Sequence, residues 1–216
     1  MKLTVAIDGP AGAGKSTIAK LVGKKFNLVY INTGAMYRAV TIIALRNGIT
    51  AENISKLCNM IDNLEMHFED DNIIVNGEDL SNEIITPEIS GKVSSYAAVL
   101  EVRERLVNLQ KKIAENYSVV MDGRDIGTVV LKNADFKFYL TALPEKRAER
   151  RYKELIDKGI NAEYKNILSD IIKRDYADSH REIDPLTKAV DAIEIDSSTM
   201  NIKEVVDLMA EYIYRR

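Results

Sequence analysis

The residues with the most specific chemistry in this chain are Lys15 and Ser16. They close the run Gly9-Pro10-Ala11-Gly12-Ala13-Gly14-Lys15-Ser16-Thr17. The run fits G-x-x-x-x-G-K-[ST] and follows the apolar stretch Leu3 to Ile7, which is the strand-before, helix-after context the pattern requires. Glycines let the chain turn tightly with its N–H groups facing inward, and the next helix adds the positive end of its dipole. Lys15 can then reach the β- and γ-phosphates of a nucleotide, and the Ser16 hydroxyl is placed to ligate Mg²⁺. The plainer alternative, a glycine-rich turn, leaves the complete motif unexplained.

A phosphate loop alone does not name a reaction, so a second site must decide. Asn32-Thr33-Gly34-Ala35-Met36-Tyr37-Arg38 lies where a strand should end and a helix begin, and substrates of open α/β sheets bind beyond strand carboxyl ends. The Arg38 fork could grip a phosphate and the Tyr37 ring could face a base. The same residues would equally serve as a capped helix with a solvated arginine and a core tyrosine. In Val119-Val-Met-Asp-Gly-Arg-Asp-Ile-Gly-Thr128, Asp122, Arg124 and Asp125 crowd the end of an apolar strand, where charges need partners. Asp122 stands where a second-shell Mg²⁺ carboxylate is expected, and Arg124 with Asp125 offers a donor fork beside an acceptor. Lys173-Arg-Asp-Tyr-Ala-Asp-Ser-His-Arg181 could, with Arg147, Arg150 and Arg151, close a basic lid over transferring phosphates. Charge-rich helices are more often solvated faces. His67 and His180 lack metal-ligand spacing.

These residues need a scaffold, and the alternation of short apolar runs with helical periods predicts an α/β fold: a five-stranded parallel sheet with helices on both faces. The expected strands are 3–7, 28–31, 118–121, 136–140 and 192–195, each nearly continuously apolar as strands buried on both faces should be. The expected helices are 15–25, 35–47, 54–64, 103–116, 145–158, 162–176 and 202–215, with Thr33 as a cap for the second and Gly48 its stop. Residues 64–68 and 72–75 alternate around Glu69-Asp70-Asp71, with Asn76-Gly77 as a further turn, and read as a hairpin-bearing α+β insert spanning 64–98. One domain, 1–216, is expected, with an acceptor-binding subdomain at 34–100 and a lid at 147–185.

At 216 residues, 46% hydrophobic and 29% charged, the chain has the length and composition of one soluble globular core, and no run approaches a membrane span. A formal net charge of −3 argues against nucleic acid as the main partner. The start has no signal-peptide pattern, so the cytoplasm is the expected location. The single cysteine, Cys58, excludes an intrachain disulfide and is expected in the core.

Taken together, Gly9 to Thr17, Thr33 to Arg38, Asp122 to Thr128 and Arg174 to Arg181, in that order, resemble the bacterial cytidylate kinases of the phosphate-loop nucleoside monophosphate kinase group. Asn32 stands where an aspartate is often expected there, and Ser16 where some members have glycine. The resemblance implies transfer of the γ-phosphoryl group of ATP, with Mg²⁺, to CMP or dCMP. By match of motif, it implies that Arg38 and Arg124 hold the CMP phosphate. Asp125, Arg103 and Ser94 would recognise the cytosine, and Asp178 and Arg181 the ribose. Lys15, Arg124 and Arg174 would be catalytic, and Arg147, Arg150, Arg151 and Arg174 would form the lid. A monomer is expected. Cytosine offers an amino donor beside acceptors where uracil does not, so an Arg–Asp pocket can discriminate. A nucleotide-dependent switch would need no acceptor site, and no Asn-Lys-x-Asp signature is present.

Overall fold

The computed structural model describes residues 2–69, 71–157 and 159–215. Asp70 of the expected hairpin turn and Lys158, the expected end of a helix, lie outside the described residues, as do Met1 and Arg216. Contacts divide the chain into two compact units, Met1–Val29 with Ser118–Arg216, and Tyr30–Tyr117.

The first unit is built on β1 (Thr4–Asp8), β6 (Val119–Gly123), β7 (Phe136–Thr141) and β8 (Ile193–Asp196). With β2 (Val29–Asn32) they form a five-stranded sheet in the order β2-β6-β1-β7-β8, and β1 pairs in parallel with both β6 and β7, as β7 does with β8. Val5, Ala6, Ile7, Val119, Val120 and Met121 are fully buried, which is why β1 and β6 read as continuous apolar runs. Each larger side chain among them contributes about 1.5–3 kcal/mol of burial. The chain leaving β1 heads for one sheet edge and the chain leaving β6 heads for the other, so a crevice opens at their carboxyl ends, where Asp8 pairs with Gly123.

Helices α1 (Lys15–Phe26), α6 (Pro144–Asp157), α7 (Tyr164–His180) and α8 (Ile202–Tyr214) belong to the same unit. Residues 126–130, which fall between the expected strands 118–121 and 136–140, form one wide helical turn in which the Leu131 N–H reaches back to the Ile126 carbonyl. Helix α7 runs to His180 rather than ending at Tyr176, so the motif residues Arg174 to Asp178 all lie on a helix.

The second unit holds α2 (Thr33–Arg46), α3 (Ile54–Asp62), α4 (Pro87–Ala97), α5 (Leu100–Asn116) and a three-stranded antiparallel sheet of β3 (Met66–Glu69), β4 (Asn72–Val75) and β5 (Glu78–Asp79). The cap of α2 is the Asn32 side chain, which accepts the Ala35 N–H at 2.9 Å, and Thr33 is already helical. Asn outranks Thr as a cap, and its shift by one residue moves the helix start with it. Leu57 takes the core position on α3, leaving Cys58 only half-buried. No helix among the described residues is long and apolar enough to cross a membrane.

Candidate active site

The phosphate loop leaves β1 through Gly9, whose φ of 146° is in the left-handed half of the map. A Cβ there would sit 2.0 Å from the Leu140 carbonyl oxygen, so only glycine lets the loop depart beside β7. Gly12 and Gly14 also have positive φ, at 74° and 89°. The loop wraps Lys15, which is buried and donates from Nζ to the Pro10 carbonyl at 2.8 Å. Burial, and then the nearby Arg124, holds the Lys15 ammonium well below its ordinary pKa. The loop opens onto a cleft of about 930 Å³ lined also by Arg147, Arg150, Ser197, Met200 and Asn201.

Ser16 donates to the Asp122 carboxylate at 2.9 Å, joining the start of α1 to the end of β6. Asp122 itself is buried. A hydroxyl and a carboxylate side by side, next to a phosphate cradle, form an oxygen donor set suited to a hydrated Mg²⁺ that keeps most of its ligands as water and phosphate. No cluster of three acidic or histidine side chains able to hold a metal occurs among the described residues.

Beyond Asp122 the chain brings Arg124 and Asp125 against Asp178 on α7 and Arg181 just after it. Arg124 donates from Nε to Asp178 at 2.7 Å, and the Arg181 guanidinium lies 3.4 Å from the buried Asp125. Arg181 also donates to the Asp184 carbonyl. Burial acts to raise the Asp178 carboxyl, but Arg124, with Arg174 and Arg181, outweighs it and holds the group below its ordinary value. Burial and the neighbouring Arg124 lower the Arg174 guanidinium, and its buried Nε has no hydrogen-bond partner. Three arginines therefore converge on two carboxylates, an arrangement that gains from an incoming anion.

Of the expected lid arginines, Arg147 is buried and fixed. It donates to the carbonyls of Ala142 at 2.9 Å and Ala11 at 2.8 Å, and to Asp175 at 3.0 Å. It thus ties α6 and α7 to the phosphate loop itself. Arg150 donates to the Ser197 carbonyl and its hydroxyl. Arg151 faces solvent and pairs with Glu154 at 2.8 Å.

In the Tyr30–Tyr117 unit, Thr33, Tyr37 and Arg38 lie on the first turns of α2. A Cβ at Gly34 would stand 3.7 Å from Arg38 Nη1, so the guanidinium folds back over that first turn. Arg103 on α5 is 1% exposed, with its guanidinium 5.8 Å from the Tyr37 ring centroid and an N–H on the Ala97 carbonyl. Tyr37 thus offers its ring to a cation of its own unit. Ser94 is exposed on α4.

A family model described as cytidylate kinase matches residues 5–215. The chain belongs to the cytidylate kinase family. A protein of Clostridium acetobutylicum named cytidylate kinase is 67% identical over 216 residues, covering all of both chains. Another of Clostridium perfringens is 64% identical over 211 residues, 98% of this chain and 97% of its own. A solved structure of an uncharacterized protein from Eubacterium ventriosum, 16% identical and covering all of both chains, aligns with a TM-score of 0.56 and supports the fold alone.

Within this cytidylate kinase fold, two side chains that the motifs did not single out occupy the site. Asp8 ends β1 and accepts the Ile126 N–H at 2.8 Å and the Gly127 N–H at 2.7 Å. Burial pushes its carboxyl up to about 6, although both N–H groups pull it down. The available signal was a carboxylate closing a strand that is apolar from Val5 to Ile7. Asp175, lying between the motif residues Arg174 and Asp178, is the partner that fixes Arg147.

Proposed function

We propose that this chain transfers the γ-phosphoryl group of ATP to CMP or dCMP, giving CDP or dCDP and ADP. The observation that carries the reading is the half-buried Arg124 close to Lys15 of the phosphate loop, followed by the buried Asp125, in a chain that matches the cytidylate kinase family along its length. A carboxylate able to accept from an exocyclic amino group and a guanidinium able to donate to ring acceptors or phosphate complement cytidylate. Ser16 would ligate Mg²⁺ and Asp122 would hold it through water, and the ion would neutralise charge on the donor phosphates when bound. Lys15 exchanges the Pro10 carbonyl for the donor's phosphates, and a desolvated ammonium gains more from that exchange than a solvated one. Arg174 and Arg124 are assigned to the transferring group. Arg150 and Arg151 are assigned to the lid, with Arg147 anchoring it.

Thr33, Tyr37, Arg38, Ser94 and Arg103 are assigned to CMP binding, Arg38 to its phosphate and Arg103 with Ser94 to its base, while Asp178 and Arg181 take the ribose. Residues 34–100 are proposed as the acceptor-binding subdomain and 147–185 as the lid. A cytoplasmic monomer working with Mg·ATP completes the reading. Positioning and charge stabilisation suffice for this chemistry, which is consistent with a site rich in arginine and built without a nucleophile–base pair. A coupled assay for ADP with CMP, dCMP, UMP, AMP and shikimate as acceptors tests it. CMP and dCMP turn over well above the others if the reading holds, and parity among the acceptors contradicts it.

A further inference from the structure

We propose that Asp8 is a positioning residue for acceptor recognition, holding Arg124 and Asp125 in place by accepting the two backbone N–H groups that follow them. This rests on the assignment of Arg124 and Asp125 to the acceptor nucleotide made above. Asp8 is the last residue of β1, paired in register with Gly123 on one side and Tyr139 on the other. Its two carboxylate oxygens take separate donors, the amides of Ile126 at 2.8 Å and Gly127 at 2.7 Å, across 118 and 119 residues of sequence. Those amides open the wide turn at 126–130, whose internal bonds begin with the N–H groups of later residues, so the turn itself gives them no partner. One carboxylate therefore fixes two successive peptide planes and, with them, the direction in which Asp125 leaves the backbone.

The surroundings leave little room for another arrangement. Asp125 is 5% exposed, with backbone angles of −145° and 26° that lie outside any regular element. A Cβ at Gly127 would stand 3.1 Å from Lys137 Cδ and 3.3 Å from Asp8 Oδ2, so the lysine stem and the carboxylate would each have to give by a few tenths of an ångström. The close approach of the carboxylate to the loop is thus eased by a glycine, and an added Cβ would press on that carboxylate. Asp8 also adjoins Gly9, the first residue of the phosphate loop. The residue that launches the donor cradle is therefore the one that anchors the acceptor contacts, and it does so from a rigid central strand, where small displacements are resisted. Its role is geometric and requires no proton transfer.

Asp8→Asn in the full chain tests this, because it turns one acceptor oxygen into an amino group facing a backbone N–H. KM for CMP, KM for ATP and kcat are measured together with thermal unfolding. The expected result is a rise in KM for CMP of about tenfold or more, the order that loss of a hydrogen bond to a charged group produces, with KM for ATP moving less than about twofold. Gly127→Ala, which presses on the same carboxylate from the loop side, reproduces that split. A folded Asp8→Asn protein with unchanged KM for CMP overturns the proposal. So do equal rises for CMP and ATP, since Asp8 would then serve the phosphate loop alone. If Asp8→Asn does not fold, Gly127→Ala decides by the same criterion. Wild-type turnover separates the two readings: no activity on CMP overturns the substrate assignment, and this inference with it, whereas normal wild-type activity with an unsplit variant overturns the positioning role alone.

Discussion

The Asp8 carboxyl should leave a measurable mark on the pH dependence of stability. Burial lifts it from 3.8 to about 6, against the pull of two backbone N–H groups. A carboxyl whose folded value is raised favours the folded state when protonated. Its stabilising contribution is therefore complete below the unfolded value and is lost as pH rises through about 6. The whole shift of about two units corresponds to about 3 kcal/mol, and the part falling between about pH 7.5 and about pH 5 is about 1.4 kcal/mol. Urea unfolding of the wild type and of Asp8→Asn at matched pH values isolates this contribution, because groups common to both proteins cancel in the difference. Lowering the pH from about 7.5 to about 5 should move wild-type stability upward relative to the variant by about 1.4 kcal/mol. A difference that stays flat over that range, or moves the other way, refutes the argument that burial governs this carboxyl.

Three further outcomes follow from the same geometry. Gly9→Ala must place a Cβ 2.0 Å from the Leu140 carbonyl at a φ of 146°, so thermal unfolding should show a loss of at least about 2 kcal/mol, roughly 4–8 °C in a chain of this size. Arg147→Met removes the buried partner of Asp175 and the donors to Ala11 and Ala142, which should cost about 3 kcal/mol by denaturant unfolding. An unchanged midpoint would place Arg147 among the solvated lid residues instead. Lys15→Ala should leave CMP binding by calorimetry largely intact while lowering kcat at least about a hundredfold, as loss of a transition-state donor does.

The sheet and the phosphate loop were legible because their signals are local. Val5 to Ile7 and Val119 to Met121 are apolar in unbroken runs, and the loop motif carries its own glycines. The Asp122 to Asp125 cluster was legible for a related reason, since charges crowding a strand end stand out against apolar neighbours. What escaped depends on distant partners. Asp8 reads as the ordinary close of a strand until Ile126 and Gly127 arrive from 118 and 119 residues away. Arg147, Arg150 and Arg151 share one charged helix in the sequence, and only the packing of α6 against α7 buries the first through Asp175 while leaving the third in solvent. The turn at 126–130 escaped because its hydrogen-bond span leaves no residue-type signature, and the α2 cap was misplaced by one residue because Asn32 and Thr33 are both good caps.

Phosphoryl transfer itself is the most direct test of the central claim. Incubation of the protein with Mg²⁺, γ-phosphoryl-labelled ATP and equimolar CMP and UMP, followed by separation of the nucleotides, reports where the label goes. Label is expected in CDP, with little in UDP and little released as inorganic phosphate. Label shared equally between CDP and UDP, or appearing only as inorganic phosphate, would contradict it.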